Sequence, residues 1–149
     1  MPEAVNLAAA RAAKTAGARV CLNAAPARAL SPELASLVDV LIVNAIEAED
    51  LCGIAVRDLA SAAEAAKQLS SQFPSVVVTA GGDGVAGSQN GSPAIQVSAR
   101  PVTLVSTHGA GDVFVGSFVA SWAQGQGFSR SIETANDAAA AHVSAQRRE

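Results

Sequence analysis

Apolar and polar positions along the chain switch repeatedly between a helical and an extended rhythm, and the order of the switches predicts an α/β protein built on a parallel sheet. Residues 2–16 open with Pro2, suited to a first helical turn, and place Val5, Ala8, Ala9, Ala12 and Ala16 on one face. Gly17 marks the stop. Arg19–Asn23 (RVCLN) follows as a short buried strand, and Ser31-Pro32-Glu33 opens a second helix with a capping hydroxyl, a first-turn proline and an acid at the positive end. Asp39–Val43 (DVLIV) predicts the next strand, which ends at Asn44. Asp58 caps a helix running to about Gln72, with Leu59, Ala62, Ala63, Ala66 and Leu69 inward and Glu64, Lys67 and Gln68 outward. Ser75–Thr79 (SVVVT) is a strongly β-branched strand that runs into the glycine-rich turn AGGDG at 80–84.

From residue 85 the rhythm changes. Short extended pieces at 85–88 (VAGS), 94–98 (AIQVS) and 102–105 (VTLV) are separated by Asn90-Gly91 and Pro93, which are hairpin and turn signals. They predict antiparallel strands at one edge of the sheet. Two helices, Ala110–Gln124 and Ser129–Gln146, close the chain with Gly125 and Gly127 between them. No internal repeat, linker-like stretch or charge block interrupts this order.

Composition narrows the picture. The 149 residues suit one domain, and half of them are apolar while only 3% are aromatic, so the core must rest on close packing of alanine-lined helices. A net charge of −3 provides no basic footprint for nucleic acid. Cys21 and Cys52 lack metal-ligand spacing and read as buried free thiols, as expected in a reducing cytoplasm. No apolar run is long enough to span a bilayer, and the acidic Glu3 near the start is unlike an export signal. A cytoplasmic protein without a membrane partner is the expectation.

Candidate chemistry lies where three polar clusters follow strands: Asn44–Glu47, Thr79–Gly84 and Ser106–Asp112. In an open parallel sheet, ligands settle beyond the carboxyl ends of the strands. The third cluster is the most pointed. Gly109 and Gly111 permit close approach of a ligand, and the amides opening the next helix face outward with the positive end of its dipole. That arrangement suits an anion. Asp112 in the same place would repel a stored phosphate, yet it fits a base that takes a proton from a hydroxyl attacking a phosphoryl group. Plain helix capping explains this segment alone equally well. The P-loop pattern G-x-x-x-x-G-K-[ST] is absent, and residues 80–84 are not G-x-G-x-x-G.

Five ordered segments together resemble the ribokinase family of sugar kinases, also called the phosphofructokinase B family. Residues 107–118 (THGAGDVFVGSF) are similar to its D-T-x-G-A-G-D-x-F-x-G signature, 44–47 (NAIE) to its N-x-x-E motif, and 76–84 (VVVTAGGDG) to its V-x-V-T-x-G-x-x-G strand and turn. Residues 22–28 (LNAAPAR) resemble the L-N-P-A-P-A segment of ribokinases proper, and 135–143 (ANDAAAAHV) the family's alanine-rich helix. The resemblance implies a ribokinase-like Rossmann-type sheet with flanking helices, and ATP-dependent phosphorylation of a primary hydroxyl of a pentose, ribose foremost, giving ribose 5-phosphate. It implies Asp112 as the base, the backbone of Gly109, Ala110 and Gly111 as the anion hole, and Asn44, Thr79, Gly81 and Gly84 at the nucleotide. Asn136 would lie near the adenine, and Glu47 would hold the Mg²⁺–phosphate assembly through water. His108 and His142 match no position with a role and read as structural. Two other readings stand beside this one: a non-catalytic nucleotide-binding fragment, and a family kinase for another substrate such as fructose, a nucleoside or a sugar acid.

The chain departs from the family pattern at two points. Ser106 replaces the aspartate ahead of the anion hole, which in ribokinases helps bind an activating monovalent cation, so K⁺ dependence is not expected. The chain also begins just ahead of the LNAAPAR segment, so residues 1–149 are expected to be the C-terminal nucleotide-binding and catalytic part, without the sugar-binding half and its small β-sheet lid. Such a piece alone is expected to be weakly active or inactive and to expose surfaces that favour homo-oligomers.

Overall fold

Two runs with no polar interior residue, Val40–Val43 and Val76–Val78, lie inside a five-stranded sheet. The structure is a computed structural model describing residues 2–145. The strands β1 (Cys21–Asn23), β2 (Val40–Asn44), β3 (Ser75–Thr79), β4 (Gly84–Gln89) and β5 (Ile95–Ser98) lie side by side in that order. β1, β2 and β3 are parallel, whereas β4 and β5 pair antiparallel, as the hairpin signals predict.

Side chains alternate across a strand, and here both faces are covered. Leu41, Val43, Val76, Val78 and Ala86 meet Ala48 of α3 (Ala45–Cys52) and Ala62, Ala65, Ala66 and Leu69 of α4 (Leu59–Leu69). On the other face Val40, Ile42, Val77 and Val85 meet Phe114 and Phe118 of α5 (Ala110–Ala123) and Ile132 and Ala135 of α6 (Phe128–Ser144). A parallel strand buried on both faces must be apolar at every position, so β2 and β3 read as continuous rather than alternating runs. The remaining helices are α1 (Glu3–Thr15) and α2 (Pro32–Leu37). The predicted caps form: Ser31 Oγ accepts from the Leu34 amide at 3.3 Å, and Asp58 Oδ1 from the Ser61 amide at 2.8 Å.

Several expectations are corrected. The α1 residues Val5, Ala8, Ala9, Ala12 and Ala16 are all exposed; Ala10 is buried instead, with Leu7, Ala13 and Lys14 half-buried beside it. Alanine on every side gives no apolar contrast, and polar contacts tie the helix down: Lys14 Nζ lies 2.6 Å from both carboxylate oxygens of Asp39, and Arg11 pairs with Glu33. β1 is shorter than predicted and only half-buried, α4 stops at Leu69, and α3 is an additional helix. Residues 102–105 form no strand. Val102, Leu104 and Val105 are exposed, and the Val105 amide donates to the carbonyl of Val143 in α6 at 2.8 Å. The segment is tied to α6 through that bond instead of pairing with the open edge of β5, so its β propensity is overridden by a tertiary contact. The predicted helix end at Gln146 lies outside the described residues. Cys21 and Cys52 are free thiols, half-buried rather than buried, and burial pushes the Cys21 thiol up to about 11. Among the described residues no helix is long and apolar enough to cross a membrane.

Two measurements probe this architecture. The Ser61 amide and hydroxyl hold the Asp58 carboxyl below its ordinary value, and the Arg100 guanidinium does the same for Asp137. A depressed carboxyl stabilises the fold above the unfolded value of about 3.9 and loses that contribution as pH falls below it. Urea midpoints should therefore hold from neutral pH to about 5 and fall below about 4. Asp58→Asn, which still caps but does not titrate, should make the acid fall shallower; an unchanged slope would contradict the assignment. The second concerns Gly84, whose φ is +127° and where an added Cβ would lie 2.1 Å from the Val97 carbonyl oxygen and 2.8 Å from the Ala99 nitrogen. Gly84→Ala should cost about 2–4 kcal/mol in chemical denaturation, because β5 must move. Gly81→Ala, with φ +55° and nothing within 4 Å, should cost only the backbone strain of about 1–2 kcal/mol.

Candidate functional site

The strand register gathers the predicted residues along one edge of the sheet. Asn44 ends β2 and is the register partner of Thr79, which ends β3. Thr79 pairs with Val85 at the start of β4, and Gly84 pairs with Ser98 at the end of β5. α6 climbs from Ile132, against Gly87 in the middle of β4, to Asn136, whose Nδ2 donates to the Ser98 carbonyl at 3.0 Å. Its last turn then holds the loop before α5, because the Val143 carbonyl accepts from the Val105 and Ser106 amides at 2.8 and 3.3 Å. The three clusters thus lie on the same side of the sheet.

Asn44 and Glu47 are joined to each other. Asn44 Oδ1 accepts from the Glu47 amide and Glu47 Oε2 accepts from the Asn44 amide, both at 2.9 Å, a reciprocal capping box that starts α3. Glu47 is buried as a result, at 8% exposure, rather than a solvated acid. Its Oε1 makes no hydrogen bond among the described residues. The N-x-x-E spacing carried this capping signature in the sequence. Thr79 is half-buried, and Gly81 opens a short 3₁₀ turn (Gly81–Asp83) whose backbone is exposed. Gly84 has a structural reason of its own, the approach of β5 described above. Asn136 is also buried and holds α6 to β5.

The third cluster differs. The N-cap of α5 is Gly109, in the left-handed region with φ +77° and no side chain to cap. The Ala110 amide donates to the Thr107 carbonyl at 3.2 Å, so it does not face a ligand as predicted. The Gly109, Gly111 and Asp112 amides have no backbone partner among the described residues. Asp112 is exposed in the first turn, at the positive end of the helix dipole, and its carboxylate makes no hydrogen bond among those residues. The capping alternative for Asp112 is therefore not the arrangement found. His142, read as structural, does hold the loop: its Nε2 lies 2.7 Å from the His108 carbonyl oxygen, though one histidine in an alanine-rich helix gives no signal of which contact it makes. Ser106 Oγ accepts from the His108 amide at 3.3 Å.

Two concave regions of about 260 and 250 Å³ lie elsewhere, one between Arg28, Asp50 and Phe73 and the other between Asn6, Ala24 and Leu34. Along the glycine-rich edge Gly81, Gly82, Asp83, Gly111 and Asp112 are exposed. Among the described residues no group of three acidic, histidine or cysteine side chains is placed to hold a metal.

Comparison with known proteins agrees with this layout. Residues 1–147 match the family model described as pfkB family carbohydrate kinase. A ribokinase of Haemophilus influenzae is 39% identical over 136 residues, covering 91% of this chain and 44% of that protein. A ribokinase of Staphylococcus aureus is 40% identical over 109 residues, covering 72% of this chain and 35% of that one. Among solved structures, the Arabidopsis thaliana ribokinase complexed with ribose and ATP superposes with a TM-score of 0.86 at 28% identity, over 97% of this chain and 47% of that one. The chain thus spans less than half the length of these relatives, and its mixed sheet with flanking helices is the ribokinase fold. This chain belongs to the pfkB family of carbohydrate kinases.

Proposed function

We propose that the chain is the nucleotide-binding and proton-abstracting part of an ATP-dependent sugar kinase acting on ribose. The observation that carries this reading is a carboxylate with no hydrogen bond among the described residues, beside amides with no partner among them. Among the described residues Asp112 makes no hydrogen bond, and the amides of Gly109, Gly111 and Asp112 open a helix without a side-chain cap. The ribose and ATP bound by the Arabidopsis relative, and the ribokinase names of the bacterial relatives, support the choice of substrates.

In this reading the sugar hydroxyl gives its proton to Asp112 as its oxygen attacks the γ-phosphorus. The new O–P bond forms while the bond to the β-phosphate oxygen breaks, leaving ADP and the sugar phosphate. Free amides and the helix dipole stabilise the charge on the transferring group, and general-base help of this kind contributes roughly 10²–10⁴ in rate. Asn44, Thr79, Gly81 and Gly84 line the edge where the nucleotide phosphates would lie, and Asn136 fixes the adjoining end of β5. Magnesium bound with ATP would supply charge neutralisation at the phosphates. Glu47 would hold it through water by the oxygen left free of the capping box.

A second reading is favoured by one fact, that the chain spans only 44% of the Haemophilus relative. It is then a nucleotide-binding piece that needs further chain to enclose a sugar and exclude water, and without that enclosure orientation effects are lost. Calorimetry with a non-hydrolysable ATP analogue and an ADP-release assay with and without ribose separate the two. Catalysis predicts ribose-dependent ADP release that Asp112→Asn lowers by at least ~10² with analogue affinity retained. Analogue binding without ribose-dependent release supports the second reading, and ribose-dependent release that survives Asp112→Asn sinks the base assignment.

A further inference from the structure

The geometry points to His142 as the positioning residue of the 106–112 loop, an inference that rests on reading that loop as the anion-binding turn. His142 Nε2 lies 2.7 Å from the carbonyl oxygen of His108. A carbonyl only accepts, so the ring must present an N–H at Nε2, as the Nε2-protonated neutral tautomer or the cation. The same ring flanks Gly109, where an added Cβ would lie 3.4 Å from Nε2 and 3.9 Å from Cε1.

The consequence follows from the planarity of the peptide bond. The His108 carbonyl and the Gly109 N–H belong to one rigid trans unit and point in opposite directions. Holding the carbonyl against His142 therefore aims the Gly109 amide away from α6, and that amide is one of the donors of the turn with no partner among the described residues. Residues 102–108 are all exposed, so apolar burial does not fix the loop. Among the described residues its hydrogen-bonded anchorage on α6 is two consecutive residues: the Val143 carbonyl takes the Val105 and Ser106 amides, and the His142 side chain takes the His108 carbonyl. The other contacts, His108 amide to Ser106 Oγ and Ala110 amide to Thr107 carbonyl, are internal and would move with the loop.

The test compares the full chain with His142→Ala and with His142→Gln, whose amide nitrogen restores a donor. ¹⁵N–¹H correlation through the imidazole should show a proton on Nε2, and backbone relaxation should show residues 107–112 ordered. His142→Ala should mobilise that segment, shift the Gly109 amide resonance and weaken inorganic pyrophosphate binding about five- to tenfold, the effect of one neutral hydrogen bond. His142→Gln should restore order and bring affinity back to within about twofold. A neutral ring protonated only on Nδ1, or a 107–112 segment equally ordered in His142→Ala, overturns the assignment. Failure of the wild-type chain to bind pyrophosphate removes the anion-binding reading, while tautomer and relaxation still decide what His142 does.

Discussion

Everything in the fold follows from burying β2 and β3 on both faces at once. A strand with Val, Leu, Ile and Val in succession cannot leave either side to water, so helices must cover both faces, and crossover connections keep β1, β2 and β3 parallel. Once the strands are parallel, their carboxyl ends fall on one edge, and the chain must turn there into a loop or helix each time. The edge carries Asn44 and Thr79 because of that geometry, and Gly84 because the turn into antiparallel β4 begins there. Alanines in α4 let its backbone sit close to the sheet, which keeps so small a core dense without many aromatic residues.

Strand runs and caps were legible because their physics is local. The β-branched SVVVT, the Ser31 and Asp58 caps and the hairpin signal at Asn90-Gly91 each need only their neighbours. The inward face of α1 was not legible, since alanine surrounds the helix and its polar ties, Lys14 to Asp39 and Arg11 to Glu33, are long-range. The strand expected at 102–105 fails for a related reason: β propensity does not reveal that the Val105 and Ser106 amides bond to the distant Val143 carbonyl. His142 was hidden in the same way, because its contact with His108 spans 34 residues.

At the candidate site, several motif residues hold the fold together as well as lining the edge. Asn44 and Glu47 start α3, Gly84 makes room for β5, and Asn136 ties α6 to that strand. Their presence alone is thus a weaker pointer to chemistry than the motif suggests. Asp112 and the amides beside it stand apart, because no hydrogen bond within the described residues explains them. The functional reading draws its weight from that contrast.

The uncapped start of α5 has one further consequence. Its first turn lacks the side-chain oxygen that supplies a capping bond at Ser31, Asn44 and Asp58. An anion seated on the amides would stand in for the missing cap, so occupancy and helix order would become one linked equilibrium. The local stability of this segment would then depend on the surrounding solution as well as on sequence, and the beginning of a helix would act as a sensor of ligand concentration.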